Sequence, residues 1–180
     1  ANDGTGSTLR AAFDICNDNF TELYDGSGGL LHKIEGTNFT GSLLVGHSTT
    51  GTLDNAFYNT ALGIGALDAL TTGDTNVAIG YNAGTSINSG ETNVVIGAYA
   101  GDAVTTGDRN VAIGYQALSA EDTGHRNVAI GYNALQVQNY GDNNYNVAVG
   151  YNAGSSVTSG LQNTIIGGLA GDALTTGIGN

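Results

Sequence analysis

Acidic side chains recur at one spacing in this chain: Asp74, Glu91, Asp108 and Asp142, with His125 taking the place between the last two. Carboxylate oxygens stacked in this way could hold a cation such as calcium, and Asp74, Glu91 and Asp108 are the candidates. Without a cation, like charges so close together need water to screen them, and Arg109 and Arg126 stand beside the row to pair with it. The glycine-rich aspartate loop of calcium-binding β-rolls is absent, which favours solvated corner carboxylates over a metal site. A second row consists of Tyr81, Tyr115, Tyr132 and Tyr151, with Tyr99 one place late, beside Asn82, Gln116, Asn133 and Asn152. Rings at strand spacing can form a ladder that holds neighbouring strands together. If exposed, the same row can bind sugars by stacking and by amide hydrogen bonds.

Bond-making chemistry finds less to work with. His32, His47 and His125 lie in unrelated contexts, and Cys16 is the one cysteine. Glycan hydrolysis needs two acids facing each other across a groove; the one adjacent pair of acids within the repeats, Glu121-Asp122, reads as part of a corner. No metal-ligand spacing or nucleophile motif is present. The chain is therefore read as non-enzymatic and without a cofactor.

Composition narrows the partners. Four Lys plus Arg against sixteen Asp plus Glu leave a formal net charge of −12. Nucleic acids and anionic membranes both require clustered cations, so neither is expected as a partner. No apolar run approaches the length of a membrane-spanning helix. Thirty Gly with no Pro, Trp or Met is a biased usage that speaks of turns, while an apolar share of 40% is too high for a disordered linker.

The elements that position these rows follow from an internal repeat. Seven phrases begin with Asn59, Asn76, Asn93, Asn110, Asn127, Asn146 and Asn163, as in NVAIGYNAG; the steps between them are 17 residues, except for one of 19. A period of this length predicts a parallel β-solenoid (β-helix or β-roll) of about seven 17-residue coils. Four places after each Asn there is always Gly, seven places after it Ala, and fourteen places after it Gly again. The two glycines mark corners that need positive φ or room for a neighbouring backbone. Between corners, Val77 and Ile79, Val111 and Ile113, or Val128 and Ile130 alternate with small residues, the period of a strand with one face buried. A second short strand is expected eleven places after the Asn, through Leu70, Ile87, Val104, Val157 and Leu174.

Where that position is polar, at Glu121 and Gln138, Leu118 and Leu135 stand at the eighth place, where most other coils have Gly. These read as two ways of filling one interior volume. The two extra residues of the fifth coil fall after Gly141, so the insertion should bulge at a corner and leave the strands in register. Hydroxyl pairs such as Thr71-Thr72 and Thr105-Thr106 read as turn caps. Ser42 to Gly46, one period before Asn59, reads as a degenerate first coil, so the solenoid is expected to run over residues 42–180.

Residues 1–41 are of another kind. Leu9, Phe13, Cys16, Phe20 and Leu23 are spaced by four, three, four and three, the stripe of an amphipathic helix over about residues 7–24. An isolated helix of that length is marginal in water, so the stripe must be covered, either by the chain's own solenoid or by copies of itself around a symmetry axis. Cys16 on this stripe serves as a small apolar residue, and Leu30 to Lys33 read as a connector.

Two resemblances bear on function. Residues 2–24, NDGTGSTLRAAFDICNDNFTELY, resemble the N-terminal segment of structural proteins of tailed bacteriophages, departing from it at Ser7 and Cys16. The repeats resemble those of phage fibres and, more distantly, the coils of trimeric autotransporter adhesin heads. These resemblances imply a homotrimeric virion component, a fibre or fibre-like appendage. The helix would contact other virion proteins, and the particle could contact host surface glycan. The alternative they imply is the head domain of a bacterial surface adhesin.

Overall fold

The computed structural model describes residues 32–36, 39–45 and 53–180. The helix expected over residues 7–24, with Leu9, Phe13, Cys16, Phe20 and Leu23, lies outside these residues. Among the described residues, nine strands form one sheet in chain order: β1 (His32–Gly36), β2 (Phe39–Val45), β3 (Thr60–Leu62), β4 (Val77–Ile79), β5 (Val94–Ile96), β6 (Val111–Ile113), β7 (Val128–Ile130), β8 (Val147–Val149) and β9 (Thr164–Ile166). β1 and β2 pair antiparallel, and every later pair is parallel. The stretch read as a connector therefore supplies strand β1. β2 lies beside β3 with Leu43, Leu44 and Val45 opposite Thr60, Ala61 and Leu62, the register of a first rung.

From Asn59 onward the chain is a parallel β-solenoid of about seven coils. Each turn returns the chain to the same place, so that Val77, Val94, Val111, Val128 and Val147 lie side by side. The pairing of Val128 with Val147 spans the longer coil, so the insertion leaves the strands in register.

One face of each strand is buried, and it is the face bearing the small residue. Ala61, Ala78, Ala112, Ala129 and Ala148 are wholly enclosed; the Val and Ile beside the last four are half-buried on the outer face, and Thr60 and Leu62 beside Ala61 are exposed. The interior explains this. Each coil also turns inward its Asn, the Ala at the seventh place and the large residue at the eleventh. Little width remains for the strand to fill.

Leu70, Ile87, Val104 and Val157 lie in the core as expected, but not on a second strand. The backbone there runs through turns, because the sixth and eighth places of each coil take a left-handed conformation, as at Gln116 (φ 51°) and Leu118 (φ 55°). Two such residues in a row of three forbid an extended segment. Coil-to-coil hydrogen bonding continues through the turns: the Leu67 N–H donates to the Ala83 carbonyl (3.1 Å) and the Ala69 N–H to that of Thr85 (3.0 Å).

The two recurrent glycines work differently. At the fourth place both demands apply: Gly97 has φ 125°, and a Cβ there would sit 2.6 Å from the Gly114 carbonyl oxygen. At the fourteenth place only space is at stake; a Cβ on Gly90 would lie 2.5 Å from the Gly107 carbonyl oxygen. The volume exchange at the eighth place also has a different partner from the one expected. Glu121 and Gln138 are themselves buried beside Leu118 and Leu135, and the first coil buries Leu67 and Leu70 together. The exchange is with the strand. Gly84 and Gly101 flank Val95, whose methyl carbons would lie 2.9 and 2.8 Å from a Cβ on either glycine, and Gly154 and Gly171 flank Ile165. Leu occupies that place where its own strand and the next both contribute Ala; Gly84 and Gly154 follow Ala78 and Ala148 but face Val95 and Ile165 of the next coil.

Candidate functional site

The interior is organised by the Asn that opens each repeat. All seven are fully buried, and they form a ladder along the rod. Asn76 donates from Nδ2 to Asn59 Oδ1 (3.1 Å) and to the Gly90 carbonyl (2.8 Å), and its backbone N–H reaches the same Asn59 oxygen at 2.9 Å. Asn93 and Asn110 repeat the pattern one and two coils on. Each amide thus satisfies a backbone N–H, a neighbouring side chain and a corner carbonyl that would otherwise be buried alone. The sequence carried a signal for this role: within the chain the Asn never varies, whereas strand positions beside it exchange Ala for Val or Ile.

On the outer surface the Tyr row is a continuous file of rings. Tyr81, Tyr99, Tyr115, Tyr132 and Tyr151 have successive centroid separations of 5.3, 6.1, 5.2 and 5.4 Å. The first two contacts are edge-to-face and the last two stacked. Tyr99 fills the gap left by Ala98, so its displacement in sequence does not break the file. Tyr81, Tyr115, Tyr132 and Tyr151 remain between 41% and 56% exposed. Asn82, Asn133 and Asn152 beside them adopt left-handed backbone conformations. The Oδ1 atoms of Asn133 and Asn152 are shut off from solvent without a hydrogen-bond partner. The row therefore offers aromatic surface, and these two amide oxygens are turned away from any sugar hydroxyl.

The acidic row caps backbone. Asp74 Oδ1 accepts the Phe57 N–H (2.7 Å) and Asp108 Oδ1 that of Glu91 (2.8 Å), each one coil back; His125 continues the column by accepting the Asp108 N–H at Nδ1 (2.9 Å). Arg109 lies 3.7 Å from Asp108. Arg126 instead covers the ring of Tyr145, 5.6 Å from its centroid. Among the described residues, no three His, Cys, Asp or Glu side chains gather as a metal-binding group. The hydroxyls of Thr71 and Thr105 donate to the carbonyls of Asn88 and Asp122 one coil on, at 3.0 and 3.1 Å.

The chain matches no protein-family model, no curated protein and no solved structure.

Glu121, read as a corner residue, is in the core. Its Oε1 accepts the Gly124 N–H (2.8 Å), and its Oε2 accepts from Asn144 Nδ2 (2.8 Å) and the Tyr140 N–H (3.4 Å). Burial raises its carboxyl from 4.5 to about 7, against the lowering effect of those donors. Gln138, one coil on, accepts from Asn146 Nδ2 at 2.7 Å. The position could have been read from sequence, since Glu121 stands at the eleventh place, which is apolar in five coils. What the arrangement offers chemically is a polar patch inside a rod, without access for a substrate.

Proposed function

We propose that this chain is a non-enzymatic structural component of a phage virion, a homotrimeric fibre or fibre-like appendage in which the solenoid forms a stiff shaft. The observation that carries this reading is the file of coil-to-coil hydrogen bonds, which runs the length of the solenoid and loses side-chain members only around the fifth coil. Asn side chains inside, backbone around each turn, and Asp, His and Thr caps at the corners all bond along the rod axis. Separating two coils requires many of these bonds to break together, which suits a part that bears load. The resemblances of residues 2–24 and of the repeats to phage structural and fibre proteins support the virion as its place. In this reading the N-terminal helix docks on other virion proteins, and the assembled particle contacts host surface glycan.

The native mass in solution tests the reading. Three chains of 18.1 kDa give about 54 kDa by sedimentation; a monomer at all concentrations would overturn the assembled shaft. Glycan contact is checked separately by binding of the assembled chain to isolated host polysaccharide; no detectable binding would remove glycan from the reading.

A further inference from the structure

The strands turn their larger apolar residues outward. In β4 to β8 the enclosed residue is Ala or Val, and the two flanking Val or Ile side chains face away from the core. An isolated rod would gain most by the opposite choice, since burying a Val or Ile side chain is worth about 1.5–3 kcal/mol against water. The arrangement is repeated in coil after coil, so it is a property of the repeat. Beyond the glycine at the fourth place the Tyr file runs parallel to these columns, so three columns of apolar or aromatic side chains run along the rod.

This face carries no charge. From Thr60 to Gly168 the first, third and fifth places after each Asn hold only Val, Ile, Leu, Thr, Tyr, Ala or Gly, although the chain carries a net charge of −12. Asp74, Glu91 and Asp108 lie at a corner and Glu121 in the core. Two such chains would repel everywhere except across this face. Its area is also that of an interface. Four Tyr side chains about half exposed contribute roughly 400 Å², already comparable to the largest apolar patch of a typical monomer, about 300–600 Å². With the half-exposed strand residues, and with Leu62, Ile64 and Ile166 at 51%, 67% and 69% exposure, the face approaches the roughly 800 Å² that each partner contributes to a stable complex.

We infer that the Val, Ile and Tyr face of the sheet is where copies of this chain pack side by side along the rod. The occupant is a second copy because the face repeats at the rise of one coil along its whole length. Only another solenoid of the same rise, about 4.8 Å per strand, presents ridges that match every groove. The expected helix of about 18 residues turns at a pitch of about 5.4 Å and so falls out of step with a repeat of about 4.8 Å. The inference rests on the reading of the chain as an assembled shaft, and it makes the solenoid itself, as well as the helix stripe, a source of assembly.

The test is sedimentation equilibrium of the full chain beside two double variants, Ile96→Asp/Ile113→Asp on the sheet face and Phe13→Asp/Phe20→Asp on the helix stripe. The sheet-face pair should weaken association at least 100-fold while leaving the far-ultraviolet circular dichroism of the solenoid unchanged. With no Trp in the chain, Tyr emission should at the same time become more quenchable by acrylamide. If the parent chain is oligomeric and the sheet-face pair keeps its mass and quenching, the inference fails while the assembled shaft stands on the helix. If the parent chain is monomeric, both fall. Should the Asp pair unfold, Ile96→Thr/Ile113→Thr, whose β-branched side chains suit a strand, carries the same test.

Discussion

The third and fourth coils and the fifth are built from the same repeat, yet they solve the same interior differently. Around Asn93 and Asn110 both ladder amides are fully used, in a core that also holds Val95, Ala100, Val104 and Ala112 and, at the eleventh place of the fourth coil, Glu121. Around the fifth coil the order lapses. Its two extra residues carry Gly141 out of position, so Asn127 Nδ2 has no corner carbonyl and stays buried without a partner. The Asn146 N–H reaches Asn127 Oδ1 at 3.3 Å, where the regular bond is 2.9–3.0 Å. A Cβ on Gly141 would meet only the Thr123 hydroxyl, whereas one on Gly107 would run into the Gly124 backbone. Gln138 Nε2 and Asn144 Oδ1 are likewise enclosed without partners. The difference shows that strand register and core chemistry are separable in this fold: the sheet passes the insertion without a shift, and the defect is absorbed by the polar interior.

Replacing the ladder amide at each place should show the contrast most strongly. Asn110→Ala removes an acceptor for the Asn127 N–H (3.0 Å) and leaves the Gly124 carbonyl and Asn93 Oδ1 short of a donor. Several buried groups lose partners at once, so the expected cost is about 3–5 kcal/mol. Asn127→Ala gives up a longer bond and a donor already without a partner, and should cost about 1–2 kcal/mol. Urea unfolding of the two variants measures the gap; equal losses would mean that the fifth coil holds its amide as tightly as the others.

How far the sequence discloses this contrast depends on the residue. The 17-residue period, the corner glycines and the inserted pair after Gly141 are legible because they are repeated or because they break a repeat. The direction of the strand faces is not. Alternation of Val with Ala says that one face is buried, but which face depends on the width left by Asn and by the residues at the seventh and eleventh places, a matter of packing across the coil. The turn through Leu118 is hidden for a related reason, since Leu seldom takes a left-handed conformation, yet the eighth place of each coil adopts it whether Gly or Leu stands there. Glu121 is intermediate: its place in the repeat points inward, while its charge argues for the surface.

That charge gives the second test. The Glu121 carboxyl titrates near 4.5 in its ordinary state and at about 7 in the fold, raised first by burial. The folded chain therefore holds a proton that the unfolded chain releases. The stabilisation is complete below pH 4.5, declines as pH climbs from there, and is lost above about 7. The span corresponds to about 3 kcal/mol at most. Urea midpoints measured at intervals from pH 4.5 to 8.5 should fall over this window in the parent chain. Glu121→Gln should remove this component of the fall. A variant with the same pH dependence as the parent would place the titration elsewhere.

The smallest effect should come from making the fifth coil resemble the first. There Leu67 and Leu70 are enclosed together beside Ala61; in the fifth coil Leu135 and Gln138 lie beside Ala129. Gln138→Leu reproduces the apolar set already accommodated by the fold, with a side chain of similar length. It removes an enclosed Nε2 that has no partner, which favours the variant, and an Oε1 that accepts from Asn146 Nδ2, which opposes it. Asn146 Nδ2 keeps its bond to the Gly160 carbonyl at 2.6 Å, so one of its two amide hydrogens stays paired while the other loses its partner. Replacing a half-satisfied buried amide by a well-packed apolar group is nearly neutral or stabilising, and the expected change is a gain of about 0–1 kcal/mol. A thermal melt decides the sign. A loss above about 2 kcal/mol, the size expected when a buried polar group is left unpaired, would mean that Gln138 is a working member of the ladder and that the fifth coil is a second ordered design, equal in satisfaction to the first.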